Sequence, residues 1–132
     1  MENDYGKYAL LVVDDEETLR EAIAFDFKRK GFNVQSAANG TQALEIVKQA
    51  PIDLIISDVR MPNGDGLELL REVRRRDPEV PVVVFVTGFA DATEEECLRR
   101  GAWKVFAKPF DRKALFATVV EALERTARPK SA

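Results

Sequence analysis

Three aspartates, a threonine and a lysine carry the chemistry this sequence offers. Asp14-Asp15-Glu16 follows one short apolar run, Asp58 ends another, Thr87 a third, and Lys108-Pro109 follows a fourth. Clustered carboxylates repel: two like charges about 4 Å apart cost roughly 4 kcal/mol at an effective dielectric of ~20. Lys108 can neutralise one of them, and a divalent cation can offset more. The donors are hard oxygens with no imidazole or sulfur in reach, which selects Mg or a similar ion that keeps part of its water. A carboxylate beside such an ion can attack phosphorus and form an aspartyl phosphate, while metal and lysine stabilise the transferring charge. Each signal has a plainer reading. Asp-Asp after a strand can be a helix cap, Thr87-Gly88 a turn, and Lys108-Pro109 a solvated lysine ahead of a helix. Their joint arrival at one place is what carries the chemistry, so the elements that deliver them decide the matter.

Five apolar segments, at 8–13, 32–36, 52–57, 82–86 and 103–107, are rich in β-branched and aromatic residues, as strands buried on both faces are. Amphipathic stretches separate them. Residues 17–30 carry Leu19, Ala22, Ile23 and Phe27 and stop at Gly31. Residues 41–49 carry Ala43, Leu44 and Val47, and 66–76 carry Leu67, Leu69, Leu70 and Val73. Residues 92–100 carry Ala92 and Leu98. Asp111 caps a last helix with Leu115, Phe116, Val119, Val120 and Leu123 on one face. The order βαβαβαβαβα predicts an α/β fold with a parallel sheet between two helical layers. Right-handed crossovers bring all strand C-terminal ends to one rim, where open sheets of this kind bind ligands. The acidic residues, Thr87 and Lys108 therefore converge.

Composition narrows the function. The chain has 132 residues, 45% hydrophobic and 33% charged, enough for one domain with a self-sufficient core. A net charge of −3 argues for neither nucleic acid nor a membrane surface. With no histidine and a single cysteine, Cys97, imidazole-based metal sites, Ser–His–Asp and Cys–His catalysis and internal disulfides are excluded. No run is long enough to span a membrane and residues 1–7 lack a signal-peptide core, so the cytoplasm is the expected location. Cys97 reads as a small buried thiol. Arg74-Arg75-Arg76 reads as a complement to the C-terminal dipole of its helix. One of Phe25 and Phe27 must be partly exposed. Met61 reads as packing beneath the Asp58 loop, and Arg60 and Phe89 flank the site.

The stretches Leu11-Val12-Val13-Asp14-Asp15-Glu16, Asp58-Val59-Arg60-Met61-Pro62 with Asp65-Gly66-Leu67-Glu68-Leu69-Leu70, Val86-Thr87-Gly88, and Gly101-Ala102 followed by Lys108-Pro109-Phe110 resemble the receiver domain of bacterial two-component response regulators. The resemblance covers residues 8–126, leaving 1–7 as an N-terminal extension and 127–132 as a frayed tail. It implies a flavodoxin-like sheet of order 2-1-3-4-5 with five helices. It also implies residue roles: Asp58 as phosphoacceptor, Asp15 as a direct Mg ligand, Asp14 binding Mg largely through water, and the Arg60 backbone carbonyl completing the set. Lys108 would pair with Asp58 and then with the phosphoryl group, Thr87 would hydrogen-bond a phosphoryl oxygen, and the Lys108–Pro109 peptide would be cis. The implied partners are a sensor histidine kinase or phosphotransfer protein and, through the last helices and fifth strand, a downstream protein or output domain. A phosphorylation-dependent homodimer is a further implied assembly. The output belongs either to a stand-alone receiver or to one domain of a longer regulator. The chain departs from the family at the position three before the lysine, where receivers carry Tyr or Phe as a switch. Here it is Val105, with Phe106 and Trp103 nearby. Strand alternation puts Phe106 opposite Val105 and Trp103 on Val105's side.

Other readings fit less well. A phosphotransferase or phosphatase with an Asp nucleophile usually has a second Asp two residues on, and here that residue is Arg60. An FMN carrier needs a glycine- and hydroxyl-rich loop where this chain has Asp14-Asp15-Glu16. A phosphorylation-independent receiver serving only as a structural or interaction module would not need all five residues.

Overall fold

Alternating apolar runs and amphipathic stretches produce an open parallel sheet with helices on both faces. The computed structural model describes residues 4–63, 65–88 and 94–126. Strands β1 (Ala9–Val13), β2 (Asn33–Ala37), β3 (Leu54–Ser57), β4 (Val82–Thr87) and β5 (Lys104–Ala107) alternate with helices α1 (Glu17–Arg29), α2 (Gly40–Gln49), α3 (Gly66–Arg76), α4 (Glu94–Arg99) and α5 (Arg112–Thr126). All four strand pairings are parallel, in the order β2-β1-β3-β4-β5. The fold is therefore the flavodoxin-like three-layer sandwich that the resemblance implied. Element ends differ from the periodicity by a residue or two. The readings placed on Phe89, Ala92 and the 127–132 tail lie outside the described residues.

The central strands β1, β3 and β4 are buried on both sides, which explains their uninterrupted apolar runs. Leu10, Val12, Leu54, Ile56, Val84 and Val86 face α1 and α5, while Leu11, Val13, Ile55, Val83 and Phe85 face α2, α3 and α4. Edge strand β2 is mostly exposed, with Ala37 its only buried residue. In α1 the inward residues are Ile23, Ala24 and Phe27. Ala22 is exposed, because Ala24 takes the core position next to Ile23. Phe27 is 3% exposed and Phe25 61%, which settles which phenylalanine turns outward. Cys97 is fully buried in the second cluster, and burial pushes its thiol pKa up.

The segment ahead of β1 packs onto the domain. Tyr5–Lys7 forms a 3-10 turn capped by Asp4, and the Tyr5 ring stacks on Phe32 at 4.6 Å, with Phe116 edge-on at 5.8 Å. Gly31 ends the first helical unit at φ +106°, a conformation that favours glycine. On β5, Val105 packs toward the α2–α4 face and Phe106 toward α1 and α5. Trp103 also packs on the α1/α5 cluster, which corrects the expectation that it shares Val105's side. β5 begins at Lys104, so the two-residue alternation does not reach back to Trp103, whose backbone N–H is already bonded to Val83 O at 2.7 Å.

Candidate functional site

The two strand tips carrying the acids and the one carrying the lysine are held in register by backbone bonds that outlast the strands. Asp14 N–H donates to Ala37 O and Asp58 N–H to Val13 O, while Lys108 N–H donates to Thr87 O at 2.9 Å. Parallel pairing thus continues one residue past each strand end, to the residue that bears the functional group. The carboxylate oxygens of Asp14, Asp15 and Asp58 come within 4.8 Å of one another. Asp14 is 2% exposed, Asp58 9% and Thr87 8%, whereas Asp15 is open to solvent. Lys108 reaches across from the end of β5 and donates to Asp58 Oδ2 at 2.9 Å and to Asp14 Oδ2 at 3.3 Å.

Local bonding argues against the plainer readings. The Asp-Asp pair is not a cap for α1: Glu16 stands at the N-cap position with no side-chain cap bond, and Asp14 Oδ1 accepts from Glu16 N–H at 2.8 Å. Lys108 is not a solvated lysine ahead of a helix, since it bridges two acids. Helix α5 has its own cap in Asp111, whose Oδ1 accepts from the N–H groups of Lys113 and Ala114. The Lys108–Pro109 peptide is cis, as is Val80–Pro81.

The electrostatics follow from burial. Desolvation raises the Asp14 pKa above its ordinary value, and Asp58 adds to the rise, against the pull of the Glu16 N–H and Lys108. For Lys108 burial acts downward, but the hydrogen bond to Asp58 and the charges of Asp14 and Asp58 outweigh it and raise the ammonium pKa. The ammonium is therefore held charged at neutral pH. Three carboxylates against one ammonium leave the rim with excess negative charge. That donor set, all oxygen and partly buried, fits a hard divalent cation.

Several contributors escaped the sequence reading. Gly66, the first residue of α3, donates its N–H to Val59 O at 2.8 Å and closes the loop that follows Asp58. A Cβ there would lie 2.2 Å from the Asp58 carbonyl oxygen and 2.8 Å from the Phe85 ring. Glycine is needed for close approach, and the signal available was a poor helix former at the first helical position of a segment opened by Asp65. Asp65 and Glu68 form a reciprocal capping box that fixes this helix start. Arg20 donates to Asp14 O at 2.7 Å and Ser57 Oγ to Asp58 O at 2.7 Å. Both brace the acid-bearing backbone, and nothing in their spacing announces it. Arg60 N–H donates to Asp58 Oδ1 at 3.3 Å, and its side chain is exposed. Met61 is buried beneath this loop, in the cluster with Val59 and Phe85. Val105 and Trp103 are half-buried on opposite faces of the sheet.

The family model described as the response regulator receiver domain matches residues 10–120. The chain is 34% identical over 119 residues to an NtrX-like response regulator of Rickettsia conorii, covering 89% of this chain and 25% of that protein. It is 36% identical over 116 residues to the regulatory protein AtoC of Escherichia coli, covering 87% of this chain and 25% of that one. The chain thus spans about a quarter of the length of these relatives. Among solved structures, a Francisella response regulator 1452 receiver domain superimposes with a TM-score of 0.83 at 28% identity, over 90% of this chain and 98% of that one.

Proposed function

Because this chain belongs to the response regulator receiver domain family, we propose that it accepts a phosphoryl group on Asp58 and that the modified domain changes how its last helices and fifth strand meet a partner. The observation that carries the reading is the meeting of Asp14, Asp15 and Asp58 within 4.8 Å, with Lys108 Nζ 2.9 Å from Asp58. The donor is a sensor histidine kinase or phosphotransfer protein. The receiver unit is residues 8–126, with 1–7 ahead of it and 127–132 behind. The domain promotes only its own phosphorylation and dephosphorylation, so it is a signalling element and not a turnover enzyme.

Asp14, Asp15, Asp58 and the Arg60 backbone carbonyl would hold Mg, which when bound supplies charge neutralisation on the transferring oxygens. In the transfer an Asp58 carboxylate oxygen attacks phosphorus. The bond from phosphorus to the donor atom breaks, and its electron pair leaves with the donor. Lys108, hydrogen-bonded to Asp58 beforehand, moves its ammonium onto the phosphoryl oxygens as charge gathers there. Thr87, buried at the end of β4, offers its hydroxyl to a phosphoryl oxygen. The new charge and acceptor oxygens then favour the arrangement in which the Thr87 loop is drawn inward, which is a shift between two populations. With Val105 in place of an aromatic residue, that shift reaches β5 without a ring to flip. A phosphorylation-dependent homodimer is one way the altered face acts.

The test is small-donor phosphorylation. Acetyl phosphate with Mg should add a single acid-stable, base-labile phosphate by mass spectrometry, and Asp58→Asn or chelation should abolish it. A wild-type chain no more reactive than Asp58→Asn would reject the reading in favour of a phosphorylation-independent interaction module.

A further inference from the structure

A second charged site lies on the α3–α4 side of the molecule, outside the acidic rim. A surface cavity of about 300 Å³ is lined by Leu67, Arg71, Arg74, Arg75 and Arg100. Helical spacing puts Leu67, Arg71, Arg74 and Arg75 on one face of α3, and Arg100 reaches it from the end of α4. From these residues and their geometry we infer that this cavity binds the phosphate chain of a small oligophosphate or nucleotide.

Two features make the cavity more than a solvated basic face. Arg74 is anchored: its guanidinium donates to Gly101 O at 3.2 Å, Asp77 O at 3.3 Å and Pro81 O at 2.7 Å. Its position is therefore set by backbone from two segments, the 77–81 connection and Gly101, before any ligand arrives. The other three arginines are exposed at their tips and pair only with glutamates. Arg71 and Arg75 share Glu72 at 3.7 and 3.2 Å, and Arg100 pairs with Glu96 at 2.7 Å. Exposed pairs of this kind hold little energy, so a multivalent anion can displace the carboxylates. Arg74 is answered by Asp77 and Glu79, while the three exposed guanidinium groups of Arg71, Arg75 and Arg100 face two carboxylates, Glu72 and Glu96, which leaves one unmatched positive charge at the cavity mouth. Guanidinium forks match phosphate oxygens bidentately, and half-buried Leu67 offers an apolar patch beside them.

The experiment is calorimetric titration of tripolyphosphate, and separately of ATP, into the full chain with a chelator present so that the acidic rim carries no cation. Saturable binding is expected, and it should be the same in Asp58→Asn. Arg71→Gln/Arg75→Gln should weaken it about tenfold and Arg100→Gln several-fold, through loss of charge-assisted bonds. Arg76→Gln removes the same charge from an exposed side chain that does not line the cavity, and should leave binding within about twofold, the residue of screened long-range charge. Equal affinity for both probes assigns the site to phosphate alone, and tighter ATP binding adds the nucleoside against Leu67. Thermal melts establish that each variant folds. The inference is overturned by absence of saturable binding, by Arg76→Gln weakening it as much as Arg100→Gln, or by oligonucleotides binding with length-dependent affinity while tripolyphosphate does not.

Discussion

Asp14 is a buried carboxylate whose charge the fold tolerates poorly. It is 2% exposed and faces Asp58, and desolvation raises its pKa. A raised carboxyl pKa means that the folded chain holds the proton more tightly than the unfolded chain. Stability from this group is therefore full at low pH and falls as pH climbs from about 4, the unfolded value, through the higher folded value. Asp14→Asn removes that slope. In metal-free buffer at neutral pH the variant should melt a few degrees higher, on the order of 1 kcal/mol more stable. Its advantage over wild type should shrink as the buffer is acidified. Thermal melts across the acidic range check both, and an Asn variant less stable than wild type at neutral pH would contradict the account. Lys108 has the same sign in a different window: its raised pKa gives stability present below its unfolded value of about 10.4 and lost only as pH rises through the higher folded value. It is therefore constant across the range in which Asp14 changes.

At the scale of elements, the junction between β3 and α3 surrounds its glycine closely. Strand, loop and helix meet at Gly66, where a side chain would run into the Asp58 carbonyl and the Phe85 ring. Gly66→Ala must push α3 away from the sheet or twist the Asp58 loop, and overpacking of this kind costs roughly 2–3 kcal/mol. Chemical denaturation should show that loss, together with slower phosphorylation because the acceptor loop moves. Gly88→Ala is the control. A Cβ there comes no closer than 3.9 Å to Lys108 Cδ, so its stability should stay within about 0.5 kcal/mol of wild type. The α3 C-terminus also differs from its sequence reading. Arg75 and Arg76 are exposed and suit the helix dipole, but Arg74 turns inward to bond three carbonyls, two in the 77–81 connection and one at Gly101.

For the whole molecule, the like-charged rim would couple stability to any metal that it binds. Any cation that binds the folded cluster and not the unfolded chain stabilises by mass action, about 2.7 kcal/mol at a hundred times its dissociation constant. Mg should therefore raise the melting temperature of the wild-type chain in a concentration-dependent way. Asp15→Asn, which removes the exposed carboxylate of the cluster, should blunt the response. Identical Mg-dependent shifts in wild type and Asp15→Asn would show that the ion acts elsewhere.

Much of this was legible without coordinates. The double burial of β1, β3 and β4 leaves unbroken apolar runs, and Gly31 and Asp111 mark helix ends through local backbone needs, so element order and the parallel sheet follow from the chain alone. That sheet sends Asp14, Asp15, Asp58, Thr87 and Lys108 to one rim, because strand direction is a consequence of order. Distances and partners do not follow from order. Whether Lys108 spans two acids, why Gly66 has no side chain, which of Phe25 and Phe27 turns inward, and that Trp103 packs opposite Val105 depend on contacts between residues far apart in sequence. Side-chain alternation and helical period are local rules that lapse at element ends, and at those ends only the packed tertiary structure decides what touches what.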